Sequence, residues 1–133
     1  MRRLLRWAVL MSLVSPACAD VERDLPRPYR RLEVPATLLA SSEARHRGRE
    51  LFVASCALCH GERGDGHGLR REGLARAPRD FTDPAWRQST SPRRVFFTIR
   101  EGIKGTAMPP WPNLGEQDAW NLTAYVLSLG EAR

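Results

Sequence analysis

The stretch GRELFVASCALCH occupies residues 48–60. Gly48, Phe52 and Cys56 are spaced four residues apart, which places them along one face of a helix. We predict that this helix runs from about Ser42 to Ser55, with Ser41 or Ser42 as its N-cap. A mid-helix glycine costs roughly 1 kcal/mol relative to alanine. We therefore interpret Gly48 as the point of close approach of another helix; a tolerated glycine on an exposed face is the alternative.

The end of this stretch, Cys56-Ala57-Leu58-Cys59-His60, carries the chemistry. Two intervening residues let a single helical turn present both thiols, and a histidine follows at once. This spacing is the signature of covalent haem c attachment, with the histidine as an iron ligand. A thioredoxin-like redox pair would need a βαβ context that the sequence lacks. A zinc site would need four ligands, for which only His46 and His67 remain.

The sixth iron ligand is expected to be Met108, within Gly105-Thr106-Ala107-Met108-Pro109-Pro110. A thioether is a soft, neutral ligand that raises the reduction potential of haem iron. Proline directly after the methionine stiffens the loop that presents it. His46 and His67 are the alternative ligands. His60 needs a partner for its second nitrogen, and the carbonyl of Pro78 is the candidate.

Two further helices follow from local signals. One spans about Pro92 to Glu101, opened by Ser91-Pro92 and closed by Gly102. The last spans about Glu116 to Leu129. Asp83-Pro84 is a further helix start signal, a capping residue followed by proline at the first helical position. No segment alternates as a strand would, so the chain is predicted to be all-α, with three to five helices and long loops. Aromatic residues expected to wall the haem are Phe81, Trp86, Phe96, Phe97 and Trp111.

The N-terminal part divides into two segments. Residues 1–19 combine a basic start, a short apolar run and Ala17-Cys18-Ala19, as in a cleaved signal peptide. An uncleaved anchor helix is one alternative. Acylation of Cys18, as in bacterial lipoproteins, is another and would tether the protein to a membrane. Residues 20–40 form a proline-rich linker or tail, extended and poorly packed over 20–36. The haem domain is then 41–133.

The charge balance argues against a nucleic-acid partner. The formal net charge of +6 falls to +3 without Arg2, Arg3 and Arg6 of the N-terminal segment. No dense run of Lys and Arg and no nucleic-acid-binding motif is present. Scattered charge on a solvated surface is the simpler interpretation.

These residues resemble the class I cytochromes c over about residues 42–130. The resemblance rests on Gly48, Phe52, the Cys-x-x-Cys-His motif, Met108-Pro109, and Leu122 with Tyr125. It implies a cytochrome c-like fold around one haem, in which Gly48 and Phe52 of the first helix meet Leu122 and Tyr125 of the last at near right angles. Residues 80–84 and 105–111 are similar to cytochrome subunits that serve dehydrogenases, reductases or terminal oxidases.

The sequence thus predicts an exported, periplasmic single-electron carrier and not an enzyme. Its haem c is bound through Cys56 and Cys59, and the iron is ligated by His60 and Met108. The expected partners are redox proteins such as a dehydrogenase, a reductase or a terminal oxidase, and the carrier itself is expected to be a monomer. Two alternatives stay open: a haem c subunit held permanently within an oxidoreductase complex, and an enzyme or sensor whose iron has an open position.

Overall fold

The computed structural model describes residues 21–131, and within this range it contains helices and no strands. The helices are α1 (Arg27–Arg30), α2 (Ala36–Ala40), α3 (Ser42–Ser55), α4 (Ala57–His60), α5 (Pro84–Gln88), α6 (Pro92–Glu101) and α7 (Glu116–Leu129). The all-α prediction is confirmed. The described range holds more helices than the three to five predicted, because four short ones of four or five residues accompany the three long ones.

The long helices begin and end where their local signals predict. The Ser41 hydroxyl accepts from the backbone N–H of Ala44 at the start of α3. Ser91 does the same for Arg94 at the start of α6. Helix α6 stops at Gly102, whose φ of +66° lies in a region that only glycine adopts readily. The predicted bounds of α3, α6 and α7 are confirmed, and for α3 and α6 the reason is that caps and stops act within one turn.

Helices α3 and α7 cross at Gly48. A Cβ atom on Gly48 would lie 2.0 Å from the carbonyl oxygen of Asn121 and 2.7 Å from Cβ of Tyr125. The interpretation of this glycine as a close approach is therefore confirmed. One turn further along α3, Phe52 is fully buried and meets the Tyr125 ring edge-on, with centroids 5.3 Å apart. This crossing brings the end of α3, where the Cys-x-x-Cys-His motif begins, onto the core.

The core consists of two clusters. The first surrounds Phe52 and takes residues from α3, α4, α6 and α7: Ala57, Val95, Ile99, Leu122, Val126 and Leu127. The second joins Phe96, Ala119 and Trp120, with the Phe96 and Trp120 rings stacked at 4.3 Å. Helices α6 and α7 thus contribute both to the cluster beside the motif and to the one that the N-terminal segment covers.

The N-terminal segment differs from its prediction. Residues 21–36 were expected to be extended and poorly packed, but they hold α1 and pack against α6. Leu25 is only 2% exposed. The Arg93 guanidinium donates to the Leu32 carbonyl at 2.7 Å and pairs with Glu22 at 3.1 Å. These contacts join residues about 60 to 70 positions apart, so composition alone does not reveal them. A domain boundary at residue 40 stays a prediction.

Tyr29 links the N-terminal segment to α6 by a hydrogen bond that depends on a protonated phenol. Its hydroxyl donates to the Glu101 carboxylate. Burial, followed by this hydrogen bond and then by the charge of Glu101, raises the Tyr29 pKa to about 12. A raised pKa favours the neutral form in the folded state. The resulting stability is complete below the ordinary phenol pKa of about 10 and is lost as pH rises towards 12.

Tyr29→Phe should therefore lower the free energy of unfolding at neutral pH by about 0.5–1.5 kcal/mol, the net value of one hydrogen bond. The difference from wild type should shrink between pH 10 and 12. Denaturant unfolding of both proteins at neutral pH, pH 10 and pH 12 measures this difference. Tyr125→Phe, at the only other tyrosine of the chain, is the matched control for the loss of one phenol hydroxyl. A constant difference across this pH range would contradict the assignment.

The predicted signal peptide and Cys18 lie outside the described residues. Among residues 21–131, no helix has both the length and the apolar character needed to cross a bilayer.

Candidate haem site

The two cysteines lie at a joint between helices. Cys56 ends α3 and also caps α4, with φ −115° and ψ −33°. Its carbonyl accepts from the backbone N–H of Cys59 at 3.1 Å and of His60 at 2.9 Å. Both thiols are free and half-buried, and burial, with a smaller contribution from Cys59, raises the pKa of Cys56 to about 11. One turn of backbone thus presents two thiols and an imidazole together.

The His60 imidazole is held by a backbone carbonyl. Its Nδ1 lies 3.0 Å from the carbonyl oxygen of Arg79. A carbonyl can only accept, so Nδ1 carries the proton and Nε2 keeps its lone pair. Burial lowers the His60 pKa, against a smaller opposing effect of this carbonyl. Burial thus favours the neutral imidazole, and the free nitrogen is Nε2, the arrangement typical of metal-binding histidines.

The prediction that the Pro78 carbonyl accepts from His60 was wrong, because the carbonyl of the next residue, Arg79, does so. The Pro78 oxygen instead faces Gly66, where an added Cβ would come within 2.9 Å of it. The chain turns here, so the next carbonyl along, that of Arg79, is directed at His60. A backbone carbonyl leaves no trace in residue type, and only proximity in the folded chain identifies it.

Aromatic rings pack on the imidazole and behind it. The Phe81 ring stacks on His60 with centroids 4.5 Å apart and planes 22° apart. Trp86 and Trp111 pack against the Phe52 cluster, as Phe81 does. Of the five aromatic residues expected to wall the site, two lie elsewhere. Phe96 stacks on Trp120, and Phe97 meets the ring of Tyr29 at 4.8 Å, because both project from the side of α6 that the N-terminal segment covers.

Met108 lies in a closed turn. The Ile103 N–H donates to the Met108 carbonyl at 3.1 Å, and the Met108 N–H donates to the Thr106 hydroxyl at 3.2 Å. A Cβ on Gly102 would lie 2.7 Å from that same carbonyl, so the turn packs directly on the end of α6. Three residues later, Trp111 packs against the cluster that contains Ala57 of the motif. The core thus connects the methionine loop with the cysteine motif.

The histidines considered as alternative ligands point to solvent. The His46 side chain is 74% exposed and lies 3.9 Å from Glu50, one turn along α3. The His67 side chain is 65% exposed, and its Nδ1 lies 2.7 Å from the Asp65 carbonyl. In the described part of the chain, no three His, Cys, Asp or Glu side chains gather in a way that would hold a metal ion. The four residues of the zinc alternative are therefore not brought together.

The surface around the motif fits a large apolar ring. Leu58 within the motif is 45% exposed, Ile103 at the methionine turn is 45% exposed, and Leu69 is 91% exposed. The loop that carries Leu69 is joined to the motif by a 2.9 Å hydrogen bond from the Arg70 N–H to the Leu58 carbonyl. Thiols, a neutral imidazole and a thioether beside apolar side chains suit haem c. Two open grooves between α2 and α7, lined among others by Leu38 and Gln117, include no residue of this site.

Comparison with known proteins identifies the family. The family model described as cytochrome c oxidase, cbb3-type, subunit III matches residues 43–126. The chain is 35% identical over 88 residues to the cbb3-type cytochrome c oxidase subunit FixP of Azorhizobium caulinodans, covering 65% of this chain and 28% of that protein. It is 35% identical over 91 residues to subunit CcoP of Rhodobacter capsulatus, covering 62% of this chain and 28% of that protein. It thus spans little more than a quarter of the length of these relatives.

A solved structure supports the fold. A chain of the reducing HAO-like protein complex of Kuenenia stuttgartiensis matches with a TM-score of 0.64 and 26% sequence identity, covering 75% of this chain and 50% of that chain. The family match spans the Cys-x-x-Cys-His motif, Met108 and the α3–α7 crossing. The chain belongs to the family of cytochrome c oxidase, cbb3-type, subunit III, and it is a c-type cytochrome domain that binds haem and transfers electrons.

Proposed function

We propose that this domain carries single electrons in the periplasm through one haem c. Cys56 and Cys59 hold the haem by thioether bonds, and His60 Nε2 and the Met108 sulfur ligate its iron. The observation that carries the proposal is the 3.0 Å contact between His60 Nδ1 and the Arg79 carbonyl. It leaves Nε2 as the ligating nitrogen directly beside the two thiols.

The bound haem supplies the one-electron iron couple, and the residues of this chain set its conditions. The Arg79 carbonyl fixes the orientation of His60, and burial, not this carbonyl, lowers the His60 pKa. Met108 contributes an uncharged sulfur, which favours the reduced iron. Its backbone is held at both N–H and carbonyl, and Pro109 restricts it further. A ligand loop that moves little needs little reorganisation when the electron arrives or leaves.

A second candidate is electron relay within a permanent oxidoreductase complex. FixP and CcoP, the two relatives described above, are oxidase subunits, and the matching solved chain comes from an HAO-like complex. In this case the domain delivers electrons to a neighbouring subunit instead of diffusing between partners. Purification in high salt distinguishes the two: a free carrier elutes as a monomer, whereas a complex subunit elutes with other proteins or requires them for stability.

Mass spectrometry of protein produced in a host that attaches haem c tests the cofactor assignment. We expect one haem mass, located on the peptide that contains Cys56 and Cys59. The red colour should stay with the protein in acid-acetone. A Cys56→Ala, Cys59→Ala double variant should release the colour or contain none. Extraction of the haem from wild-type protein, or a mass that lacks it, would remove the basis of the proposal.

Met108→Ala tests the axial ligand. Loss of the thioether should lower the reduction potential, because a neutral sulfur favours ferrous iron, and it should let carbon monoxide bind the reduced protein. Potentiometric titration and absorption spectra measure both effects. His46→Ala and His67→Ala are matched controls and should leave both unchanged. If wild-type protein itself binds carbon monoxide readily, the iron has an open position and the enzyme or sensor alternative gains support.

A further inference from the structure

One short loop contacts the His60 imidazole twice. The carbonyl of Arg79 meets its edge at Nδ1, 3.0 Å away. Two residues later, the Phe81 ring covers its face with centroids 4.5 Å apart and planes only 22° apart. The hydrogen bond fixes one atom of the imidazole, whereas the parallel ring opposes rotation of the whole plane. Together they restrain the position and the direction of the ring.

Phe81 is itself held from several sides. Its N–H donates to the Gly64 carbonyl at 2.7 Å. A Cβ added to Gly64 would lie 3.5 Å from the Phe81 ring, so the neighbouring loop also closes on it. The rings of Phe52 and Trp86 pack at 6.2 Å and 5.0 Å, with interplanar angles of 71° and 55°. Edge-on and tilted neighbours of this kind restrain a ring in place.

The loop has a local reason for its shape. The Asp80 carboxylate accepts the N–H of Thr82 at 2.8 Å and its hydroxyl at 2.6 Å. Side-chain bonds to a backbone N–H two residues on are typical of Asp in turns. The turn fixes the chain between the carbonyl of Arg79 and the ring of Phe81. The two contacts with His60 therefore form one unit.

We propose that Phe81 is the positioning residue that sets the direction of the His60 imidazole plane. The proposal rests on the proposed ligation of iron by His60. Phe81 does not reach the metal in this role; it acts through His60 by excluding other rotations of the ligand. The direction of an axial imidazole plane governs how unpaired spin spreads over a haem, so the oxidised protein reports it directly.

Phe81→Leu keeps an apolar side chain and removes the stacked ring. In proton NMR of the oxidised haem protein, we expect the paramagnetically shifted haem methyl resonances to lose their wild-type order. Phe81→Tyr keeps a ring face and should restore that order. Phe97→Leu, which removes a ring that packs on Tyr29, is the matched control and should leave the order unchanged even if it lowers stability.

Unchanged methyl resonances in Phe81→Leu would overturn the proposal, as would an equal change in Phe97→Leu. If Phe81→Leu does not accumulate as a haem protein, Trp86→Leu removes a ring behind Phe81 without touching His60. The same resonances should then shift by a smaller amount, and wild-type shifts would count against Phe81. A wild-type protein without shifted haem methyl resonances would instead refute the haem assignment itself, so the two failures are distinguishable.

Discussion

Phe52→Ala is expected to lower the free energy of unfolding by about 3–5 kcal/mol, the usual cost of removing a buried phenylalanine side chain. Phe52 is 0% exposed. Its ring meets those of Tyr125 at 5.3 Å and Phe81 at 6.2 Å, and it lies 6.4 Å from the His60 ring. The cavity left by alanine would thus open between α3, α7 and the aromatic residues behind the imidazole.

Denaturant unfolding of the haem-loaded protein measures this change, since the midpoint should fall with little change in slope. Val53→Ala is the matched control, because Val53 follows Phe52 on α3 but is 46% exposed. Its effect should stay within about 0.5 kcal/mol. Similar losses in the two variants would show that Phe52 is not the centre of the core.

Gly48→Ala should destabilise the protein by about 2 kcal/mol or more, although alanine is the better helix former. The gain in helix propensity is about 1 kcal/mol. Against it, the new Cβ would lie 2.0 Å from the Asn121 carbonyl oxygen and 2.7 Å from its carbon. These are backbone atoms in the middle of α7, so no side-chain rotation relieves the overlap. The two helices must move apart. Overpacking commonly costs about 1–3 kcal/mol, and an overlap with backbone at 2.0 Å lies at or above the top of that range, which leaves a net loss of about 2 kcal/mol or more after the gain in helix propensity.

Gly115→Ala is the control for this change. Gly115 has an ordinary φ of −56° at the start of α7, and nothing lies within 4 Å of an added Cβ. Its effect should stay below about 1 kcal/mol, the cost of alanine at an N-cap. The denaturant unfolding midpoints of Gly48→Ala and Gly115→Ala, each compared with wild type, measure the two effects. Wild-type stability in Gly48→Ala would mean that the helices do not touch at this glycine.

Several features could be predicted from sequence because their causes are local. The start of α3 and both ends of α6 follow from Ser41, Ser91 and Gly102, each acting within one helical turn. The spacing of Cys56, Cys59 and His60 is read from five consecutive residues. Gly48 was open to two interpretations, and its place on the helix face that leads to Cys56 favoured the helix contact that the structure contains.

Other features depend on contacts between distant parts of the chain. The carbonyl on His60 belongs to Arg79 and not to Pro78, because the fold of the 61–82 region decides which of two neighbouring carbonyls faces the ring. Phe81 packs on the His60 imidazole and Phe97 packs on Tyr29, although the two residues are of the same type. Residue type records that a ring is apolar but not which partner it meets.

The N-terminal segment shows the same division. Its prolines and charges favoured an extended chain, and they do not reveal that Leu25 finds a buried place or that Glu22 finds Arg93. The sequence by itself thus determined the cofactor motif and the three long helices, whose causes lie within a few residues. Gly48 could be named from sequence as a contact point, but its partners on α7 are distant in the chain. The tertiary structure alone decided the partner of His60, the ring that stacks on it and the packing of residues 21–40. Those depend on which distant groups folding brings within reach of one another.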